Sequence, residues 1–398
     1  MIKRSVKLHP AYKIFTTTMR NQLFISAALT KSDADPVCTA ADIYNHITAQ
    51  ITASASQIVQ ERCFGNVELQ PQILEVRSQA LRKNGLDSNT PITFIEGESC
   101  LENKLAGIQI RAIQSSFDTR IRTITERGIP KGRAWNLNGS TFFILQNLDG
   151  GQHNSSATTA VRKSQSQAMF QQAEQLLRNE GAGYQDVVRT WIYIDDILDW
   201  YHDFNLVRND CYSEYGFIRN DDAIAAEQLY LPASTGIEGR NPAKLPAVMD
   251  VFAVRRSPTS AIQIRPIYGS QQRSPYRYGS AFSRAIVVEE PGSKLILVSG
   301  TASIDEQGKS VFVGDVAAQI KQTLNVVSTL IAAEGATLQD LCEATIFLKH
   351  RQDYPAFLKI AEQMGIADAP FVNAIADVCR DELLFELDAA FILEKDQA

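Results

Sequence analysis

The chain has 398 residues, of which 44% are hydrophobic, so it is long enough to form two or three domains that each bury a core. Its 39 basic and 45 acidic residues give a net charge of −6, without long runs of either sign. Nucleic-acid-binding surfaces concentrate basic residues, so this charge balance argues against nucleic acid as a partner.

No segment reaches the roughly 18 consecutive apolar residues of a membrane-spanning helix, which argues against a membrane partner. The basic amino terminus is not followed by the apolar stretch of a secretory signal. The six cysteines are scattered and form no CxxC pair, which is atypical of a zinc site or a disulfide framework. These features predict a protein of the reducing cytoplasm.

The carboxyl-terminal third has the clearest order of elements. It begins with a strand at 295–300, and Gly314 and Asp315 then open a long helix whose apolar residues recur at helical spacing. A strand at 343–349, a helix at about 354–364 and a closing hairpin through 380–382 into 383–391 follow. The apolar residues of the long helix are Val316, Ile320, Leu324, Val327 and Ile331.

The other two thirds repeat this order. Strands are predicted at 142–145, 186–194 and 247–254 in the middle third, with helices at 164–178 and 200–214. The first third is a degraded copy, with a strand at 22–26, a helix at 40–62 and a closing strand at 107–113. Repetition of one unit predicts an α+β fold of three tandem copies, at 1–130, 131–275 and 276–398.

The predicted linkers lie near 128–133 and 270–280, where Gly, Pro, Ser and charged residues concentrate. Three like units on one chain are expected to pack around a common axis, as a single-chain pseudo-trimer. Three independent domains on a string are the alternative, but each unit is small for a core of its own. Further self-association of the monomer stays open.

Motifs in the third unit resemble the Rid (YjgF-type) superfamily in order and spacing. The resemblance implies chorismate-mutase-like α+β units that form trimers, with ligand sites in the clefts between neighbours. It covers most of 282–391 and extends weakly over the other two units. The motifs are Phe282-Ser-Arg-Ala285, Val298-Ser-Gly-Thr301, Gly314-Asp315 with Gln319, Leu324-Asn-Val326 and Glu334-Gly-Ala336.

The best-known Rid activity is the hydrolysis of reactive enamines and imines, which uses an arginine just after a proline before the closing hairpin. Here the matching stretches begin at Pro91, Pro232 and Pro370, and none of them supplies an arginine. Nothing at that position would bind a substrate carboxylate by a bidentate pair. An imine hydrolase is therefore a disfavoured alternative.

The chorismatases, a branch of fused Rid-like units, are a better match. The stretches 278–284, 300–304 and 376–386 look like that family, which removes the enolpyruvyl side chain of chorismate. The resemblance implies that Glu386 is the essential acid. It also implies that a cysteine at Cys379 marks members that form hydroxybenzoate. Lys349 stands where the family has an arginine, and a point charge binds a carboxylate less specifically than a guanidinium fork.

Two interpretations of Glu386 are open from its strand. Alternation would place Glu386 and Asp388 together on one face, which is either exposed or lines a cleft. In an apolar cleft, the pKa of the carboxyl would rise, as an acid that protonates an enol ether requires. Asp250 and Gln109 are expected at the same strand position in the other units. Because an amide is not an acid, at most two clefts would be catalytic.

The remaining candidate site residues would bind the substrate. Arg284 and Lys349 are candidate anion clamps, although a lone arginine or lysine is more often a solvated surface charge. Cys379 is a buried structural thiol or a residue that shapes the pocket, and with no histidine placed to activate it we do not expect a nucleophile. The cleft wall is predicted from Phe282, Gly300, Thr301, Ala302 and Ser303, with a simple turn at 300–303 as the alternative.

No metal or nucleotide cofactor is predicted, because His153 and His202 lack metal-ligand spacing and no glycine-rich phosphate loop follows a strand. The leading hypothesis is a cofactor-free chorismatase-like enzyme that releases pyruvate from chorismate or a related small carboxylate. The alternatives are a catalytically silent Rid-like protein that binds a small carboxylate, and the imine hydrolase.

Overall fold

A computed structural model describes residues 1–116, 119–151, 158–218, 229–268 and 274–395, which form three six-stranded sheets. The first sheet and its helices define the first unit. Its strand order is β1-β2-β3-β6-β4-β5, and only β4 and β5 pair in parallel. The elements are β1 (Lys3–Leu8), β2 (Tyr12–Met19), β3 (Gln22–Leu29), α1 (Pro36–Ala53), β4 (Ser56–Gly65), α2 (Gln70–Lys83), β5 (Thr93–Ile95) and β6 (Leu105–Gln114).

The second and third units repeat this topology, with orders β11-β10-β12-β9-β8-β7 and β13-β14-β15-β18-β16-β17. The second contains β7 (Ile121–Glu126), β8 (Ile129–Leu137), β9 (Ser140–Leu148), α3 (Thr159–Asn179), β10 (Val187–Ile194), α4 (Ile197–Glu214), β11 (Ala233–Glu238) and β12 (Ala247–Arg256). The third contains β13 (Gln263–Ile267), β14 (Ala285–Glu290), β15 (Ser293–Ala302), α5 (Val316–Ala332), β16 (Leu341–Leu348), α6 (Tyr354–Gln363), β17 (Phe371–Ile375) and β18 (Phe385–Glu394). The predicted α+β fold of three tandem units is confirmed.

Each sheet packs its two helices on one face and turns its other face toward the other two units. The helix-covered faces form three separate apolar clusters, one in each unit. A fourth cluster contains residues of all three sheets and none of the helices. At its centre Phe64, Tyr193 and Phe347 lie at equivalent strand positions, and the Phe64 ring is 6.2 Å from each of the other two. This shared core joins the units into one pseudo-trimer, because the apolar inner face of each sheet would be exposed to water without the other two units.

Backbone hydrogen bonds follow the same cyclic arrangement. Glu96 N donates to Arg240 O at 2.8 Å, from the first unit to the second. Glu238 N donates to Asp377 O at 3.1 Å, from the second to the third, and Ile375 N donates to Glu98 O at 2.9 Å, from the third to the first. Each unit therefore contacts both others through the same loop, as around a threefold axis.

The first unit departs most from its sequence-based prediction. The helix expected at 40–62 ends at Ala53, and residues 56–62 belong to strand β4. Ala55 adopts a left-handed backbone conformation with φ of 50°, which stops the helix and redirects the chain. The second helix, α2, was not predicted, because its mixed polar sequence buries only a narrow face.

Two predicted connections are strands or irregular segments instead. The linker expected near 128–133 is the turn of the β7–β8 hairpin and the start of β8. The second sheet thus begins at Ile121 and the third at Gln263, before the expected divisions at 130 and 275.

The linker expected at 270–280 lies partly outside the described residues. Residues 376–384 form an irregular segment and not the predicted closing hairpin, since β17 pairs in parallel with β16.

None of the helices in the described part of the chain is both long and apolar enough to cross a membrane.

Candidate active site

A cleft lies between the second and third units, where β11 and α4 approach β15 and β18. Six of the nine predicted site residues line it: Phe282, Arg284, Gly300, Ala302, Cys379 and Glu386. The rest of the lining had no functional role in the sequence-based prediction, and consists of Tyr201, Arg208, Ser234, Gly236, Ser280, Ile304 and Arg380. Both units are therefore needed to form this site.

Thr301 and Ser303 face away from the cleft. Successive side chains of a strand point to opposite faces, so Gly300 and Ala302 line the cleft while their neighbours do not. The Thr301 hydroxyl donates to Ser299 O at 2.8 Å, and the Ser303 hydroxyl donates to Val311 O at 3.1 Å. Both hydroxyls brace the local backbone and are not placed to contact a ligand in the cleft.

Lys349 also lies outside the cleft, so the prediction that it clamps an anion there is wrong. Its ammonium is 2.6 Å from an Asp381 carboxylate oxygen and 3.4 Å from one of Asp377. It faces a second cavity, beside Glu96, Glu98 and Glu238. The positive charge of Lys349 is thus already paired with two carboxylates of the 376–384 segment, outside the cleft that contains Glu386.

Glu386 is buried on the central strand β18, opposite Ala302 of β15 and Phe347 of β16, with 4% of its surface exposed. Desolvation raises the pKa of its carboxyl to about 8, the charge of Asp388 adds to the rise, and Arg189 opposes it. The carboxyl makes no hydrogen bond or ion pair with the described residues. Its face of the strand is buried, so the exposed-face interpretation is wrong. At neutral pH the group is a protonated acid that faces the cleft.

Cys379 lies on the irregular segment beside this carboxyl. Burial, with the nearby Glu386 charge, raises the pKa of its thiol to about 12. The sulfur is therefore a neutral thiol at physiological pH. This state fits a residue that shapes the cleft and does not fit a thiolate nucleophile.

Arg208 and Arg284 bring two positive charges to the cleft. The guanidinium carbon of Arg208 lies 5.6 Å from the centre of the Phe282 ring, and that of Arg284 lies 5.7 Å from it. Both arginines are buried, with 1% and 6% of their surfaces exposed. A guanidinium is never deprotonated in a protein, so this part of the cleft is suited to carboxylates.

Arg208 is the main residue that sequence reasoning missed. It lies on α4 one turn after Phe204, on a face whose other buried side chains are apolar except Asn205, which accepts a hydrogen bond from Arg208. A single arginine on an apolar helix face was the available signal, because a buried cation needs a ligand or partner. The aromatic residues around it mostly form the core of the second unit, whereas Tyr201 reaches the cleft.

The strand register shows that Asp250 and Gln109 are not at the strand position of Glu386, as expected from sequence, but at that of Asp388. Asp388 lies opposite Thr345, Asp250 opposite Trp191 and Gln109 opposite Arg62, so these three residues share one position. The position of Glu386, two residues earlier, is held by Val248 in the second unit and Gly107 in the first. Among the described residues, only the cleft between the second and third units has a carboxyl group there.

Asp388 instead belongs to a buried ionic network behind the cleft. Its carboxylate oxygens lie 2.7 Å from Arg189 Nη2 and 3.7 Å from Arg62 Nη1. Both guanidiniums contact the Trp191 ring, whose centre is 4.7 Å from Arg62 Cζ and 4.9 Å from Arg189 Cζ. Arg62 also pairs with Glu343. The network links all three units and satisfies charges that would be costly to bury alone.

His153, for which no metal-binding role was expected, lies outside the described residues.

Comparisons with known proteins agree with this architecture. The family described as endoribonuclease L-PSP matches residues 278–388, most of the third unit. The chorismatase of Streptomyces rapamycinicus is 27% identical over 227 residues, which cover 52% of this chain and 64% of that protein, less than two thirds of its length. The 3-hydroxybenzoate synthase of Streptomyces hygroscopicus is 25% identical over 287 residues, which cover 66% of this chain and 77% of that protein.

A crystal structure of a chorismatase has the same fold, with a TM-score of 0.59 over 84% of this chain and 93% of that chain, at 18% identity. The sequence matches and the threefold repeat of one α+β unit lead to the same assignment. The third unit matches the endoribonuclease L-PSP family, and the chain as a whole resembles the chorismatases in sequence and in its fold of three repeated α+β units.

Proposed function

We propose that the chain is an enzyme that cleaves the enolpyruvyl ether of chorismate, or of a closely related small carboxylate, and releases pyruvate. The reaction takes place in the cleft between the second and third units. The observation that carries this proposal is Glu386, a buried carboxyl with a pKa of about 8 that lines the same cleft as Arg208 and Arg284. An acid with a pKa near the working pH is best suited to transfer a proton.

Each group in the cleft has a role in this reaction. Arg208 and Arg284 bind the two carboxylates of the substrate beside the Phe282 ring. Glu386 then gives its proton to the terminal methylene carbon of the enol ether, which leaves an oxocarbenium ion and the Glu386 carboxylate. The cation and the new anion stabilise each other in the low-dielectric cleft.

The oxocarbenium ion is resolved by the attack of an oxygen nucleophile. If water attacks, the resulting hemiketal collapses to pyruvate and a dihydrodiol, and the released proton restores the Glu386 carboxyl. If the substrate's own hydroxyl attacks, the side chain is transferred to that oxygen and its original ether bond breaks. Cleavage of the new ring carbon–oxygen bond then releases pyruvate, and loss of a ring proton, which restores the Glu386 carboxyl, leaves an aromatic hydroxybenzoate. Cys379 and Ala302 both line the cleft at Glu386, so their bulk is available to choose between these routes.

Two other functions fit the cleft less well. An imine hydrolase of the Rid type would need an arginine after Pro232, but the residues of that strand that line the cleft are Ser234 and Gly236. A silent carboxylate-binding protein would need no protonated acid in its cleft, so the raised pKa of Glu386 would have no role in its function. The cleft chemistry therefore favours the enzyme. We also propose that it acts in the cytoplasm, because its cysteines are free thiols.

The test is incubation of the purified protein with chorismate, with pyruvate measured by coupling to lactate dehydrogenase. Release well above the spontaneous rate is expected, and heat-denatured protein is the control. Tight binding of chorismate by folded protein without pyruvate release would replace the enzyme by the silent binder.

A further inference from the structure

Gly300 is the residue of β15 that packs against the Glu386 carboxyl. A β-carbon built at Gly300 would clash with Glu386 Oε1, and would lie 3.0 Å from Glu386 Cδ and 3.2 Å from Thr235 Cγ2. Its φ lies outside the left-handed region, so glycine is not needed there for backbone conformation. The space left by the missing side chain is what the carboxyl occupies.

The backbone at Gly300 is fixed from the neighbouring unit. Its N–H donates to Thr235 Oγ1 at 2.9 Å, and Arg189 Nη2 donates to the same oxygen at 2.6 Å. Arg189 in turn is 2.7 Å from Asp388, two residues after Glu386 on β18. The Gly300 backbone, against which the Glu386 carboxyl packs, is therefore linked to both units through hydrogen-bonded side chains.

The interface between the first and second units repeats this contact. Asn147 N, at the position of Gly300, donates to Thr93 Oγ1 at 3.2 Å, and Thr93 is equivalent to Thr235. There the residue is Asn147, and Val248 takes the position of Glu386. Asn147 N also donates to the Asp250 carboxylate at 2.9 Å, but Asp250 lies at the strand position of Asp388, so no carboxyl occupies the position of Glu386. The backbone N–H contact to a threonine is therefore common to both interfaces. The glycine is present only at the one of these two interfaces that has Glu386.

We propose that Gly300 is a positioning residue, which sets where the Glu386 carboxyl lies in the cleft, with Thr235 holding Gly300 in place. The inference rests on the proposed function for its catalytic consequence, but the packing of the two residues does not depend on it. A methyl group at position 300 displaces the carboxyl away from the substrate. Misplacement of a reacting group by about 1 Å is enough to cost about 10²-fold in rate.

The experiment compares Gly300→Ala with the wild type and with Gly183→Ala, a matched control whose added β-carbon comes no closer than 3.9 Å to another atom. With chorismate as substrate, Gly300→Ala is expected to lower kcat about 10²-fold with KM changed less than threefold. A rise in KM with kcat retained would overturn the proposal, because it would make Gly300 part of the binding surface.

A double-mutant cycle with Glu386→Asp separates positioning from general disruption. The shorter aspartate retreats from the added methyl, so Glu386→Asp should cost much less in the Gly300→Ala background than in the wild type. If the two losses in kcat simply multiply, the residues act independently and the proposal is wrong. If Gly300→Ala does not fold, the same cycle is run with Thr235→Ser, which removes the methyl near Gly300 and keeps the hydroxyl.

A second readout is independent of turnover. At pH 6 the protonated Glu386 carboxyl should give an infrared carbonyl band, identified by subtraction of the Glu386→Gln spectrum. Gly300→Ala should shift this band, and Gly183→Ala should not. A shifted band without pyruvate release from the wild type would reject the proposed function and keep the packing relationship. An unshifted band would reject the positioning role.

Discussion

Glu386 and Ala302 lie directly opposite each other in the antiparallel register of β15 and β18, at the bulge where the pairing shifts between Val298 and Thr301. The bulge places both Gly300 and Ala302 toward the cleft beside the acid. The carboxyl therefore faces a surface with almost no side-chain bulk.

Replacement of Glu386 by glutamine should abolish turnover. The amide is nearly isosteric with the carboxyl but has no acidic proton, so we expect kcat for pyruvate release to fall about 10²–10⁴-fold. Glu382→Gln, at an exposed carboxylate of the same segment, is the matched control and should retain full activity. Activity of Glu386→Gln within roughly threefold of the wild type would remove Glu386 from the mechanism.

The same group predicts how activity depends on pH. Glu386 must be protonated to act, and its pKa is raised to about 8, so kcat/KM should fall as the pH rises through about 8. A steady-state pH profile between 6 and 10, with circular dichroism to exclude unfolding, measures this limb. A profile that rises through pH 8 would require a base and would contradict the assignment.

Glu386 should also make folding stability pH-dependent. Its pKa is higher in the folded state than the usual 4.5, so between pH 4.5 and 8 the folded chain binds a proton that the unfolded chain has released. The free energy of unfolding then falls as the pH rises, and the loss is complete above about pH 8. Glu386→Gln should gain stability relative to the wild type over this range, by a few kcal/mol. Urea titrations at pH 5 and 8 measure the difference, and an equal effect at both values would contradict it.

The two arginines should control substrate binding. Removal of a guanidinium that pairs with a carboxylate costs about 1.5–3 kcal/mol, so Arg208→Gln and Arg284→Gln should each raise KM for chorismate at least about tenfold. Lys349→Gln is the matched control, because Lys349 is paired with Asp377 and Asp381 outside the cleft. A larger rise in KM for Lys349→Gln than for Arg208→Gln would place the anion site at Lys349, outside the proposed cleft.

Cys379 should direct the fate of the oxocarbenium ion without carrying the chemistry. Its thiol is neutral, with a pKa raised to about 12, so Cys379→Ala should keep releasing pyruvate. We expect an aromatic hydroxybenzoate from the wild type and a larger share of dihydrodiol from the variant, as measured by chromatography. The exposed Cys38 provides the control substitution, Cys38→Ala. A dihydrodiol from the wild type, unchanged in Cys379→Ala, would show that the thiol does not select the route.

Asp388 should matter for stability more than its sequence neighbours. Asp388→Ala leaves the buried Arg189 and Arg62 without one carboxylate partner, which should cost about 3–5 kcal/mol of unfolding free energy. The ion pair of the exposed Asp381 with Lys349 is the comparison, and Asp381→Ala should lower the free energy of unfolding far less than Asp388→Ala. Equal losses in denaturant titrations would mean that the buried network contributes no more than a surface pair.

The repeat, the fold and the acid's strand were accessible from sequence, because helical spacing and apolar strands are local patterns. The Asp315 cap of α5 is one such signal, since its side chain accepts a hydrogen bond from Ala318 N at 2.9 Å. The site was only partly accessible, because it is assembled between units. Arg208 reaches Phe282 across 74 positions of sequence, and no spacing rule connects them. The two-residue error in placing Asp250 and Gln109 arose because strand register depends on bulges, which leave no clear mark in the sequence.

Fusion of the units has a genetic consequence. In a symmetric homotrimer, every substitution appears at three interfaces at once, so a change that improves catalysis must also be tolerated wherever it is repeated. Here Glu386, Val248 and Gly107 are encoded separately. One interface has been free to keep a buried acid, with the instability that this entails, while the other two hold hydrophobic or minimal residues at the same place. Division of labour within one gene thus separates the demands of chemistry from those of assembly.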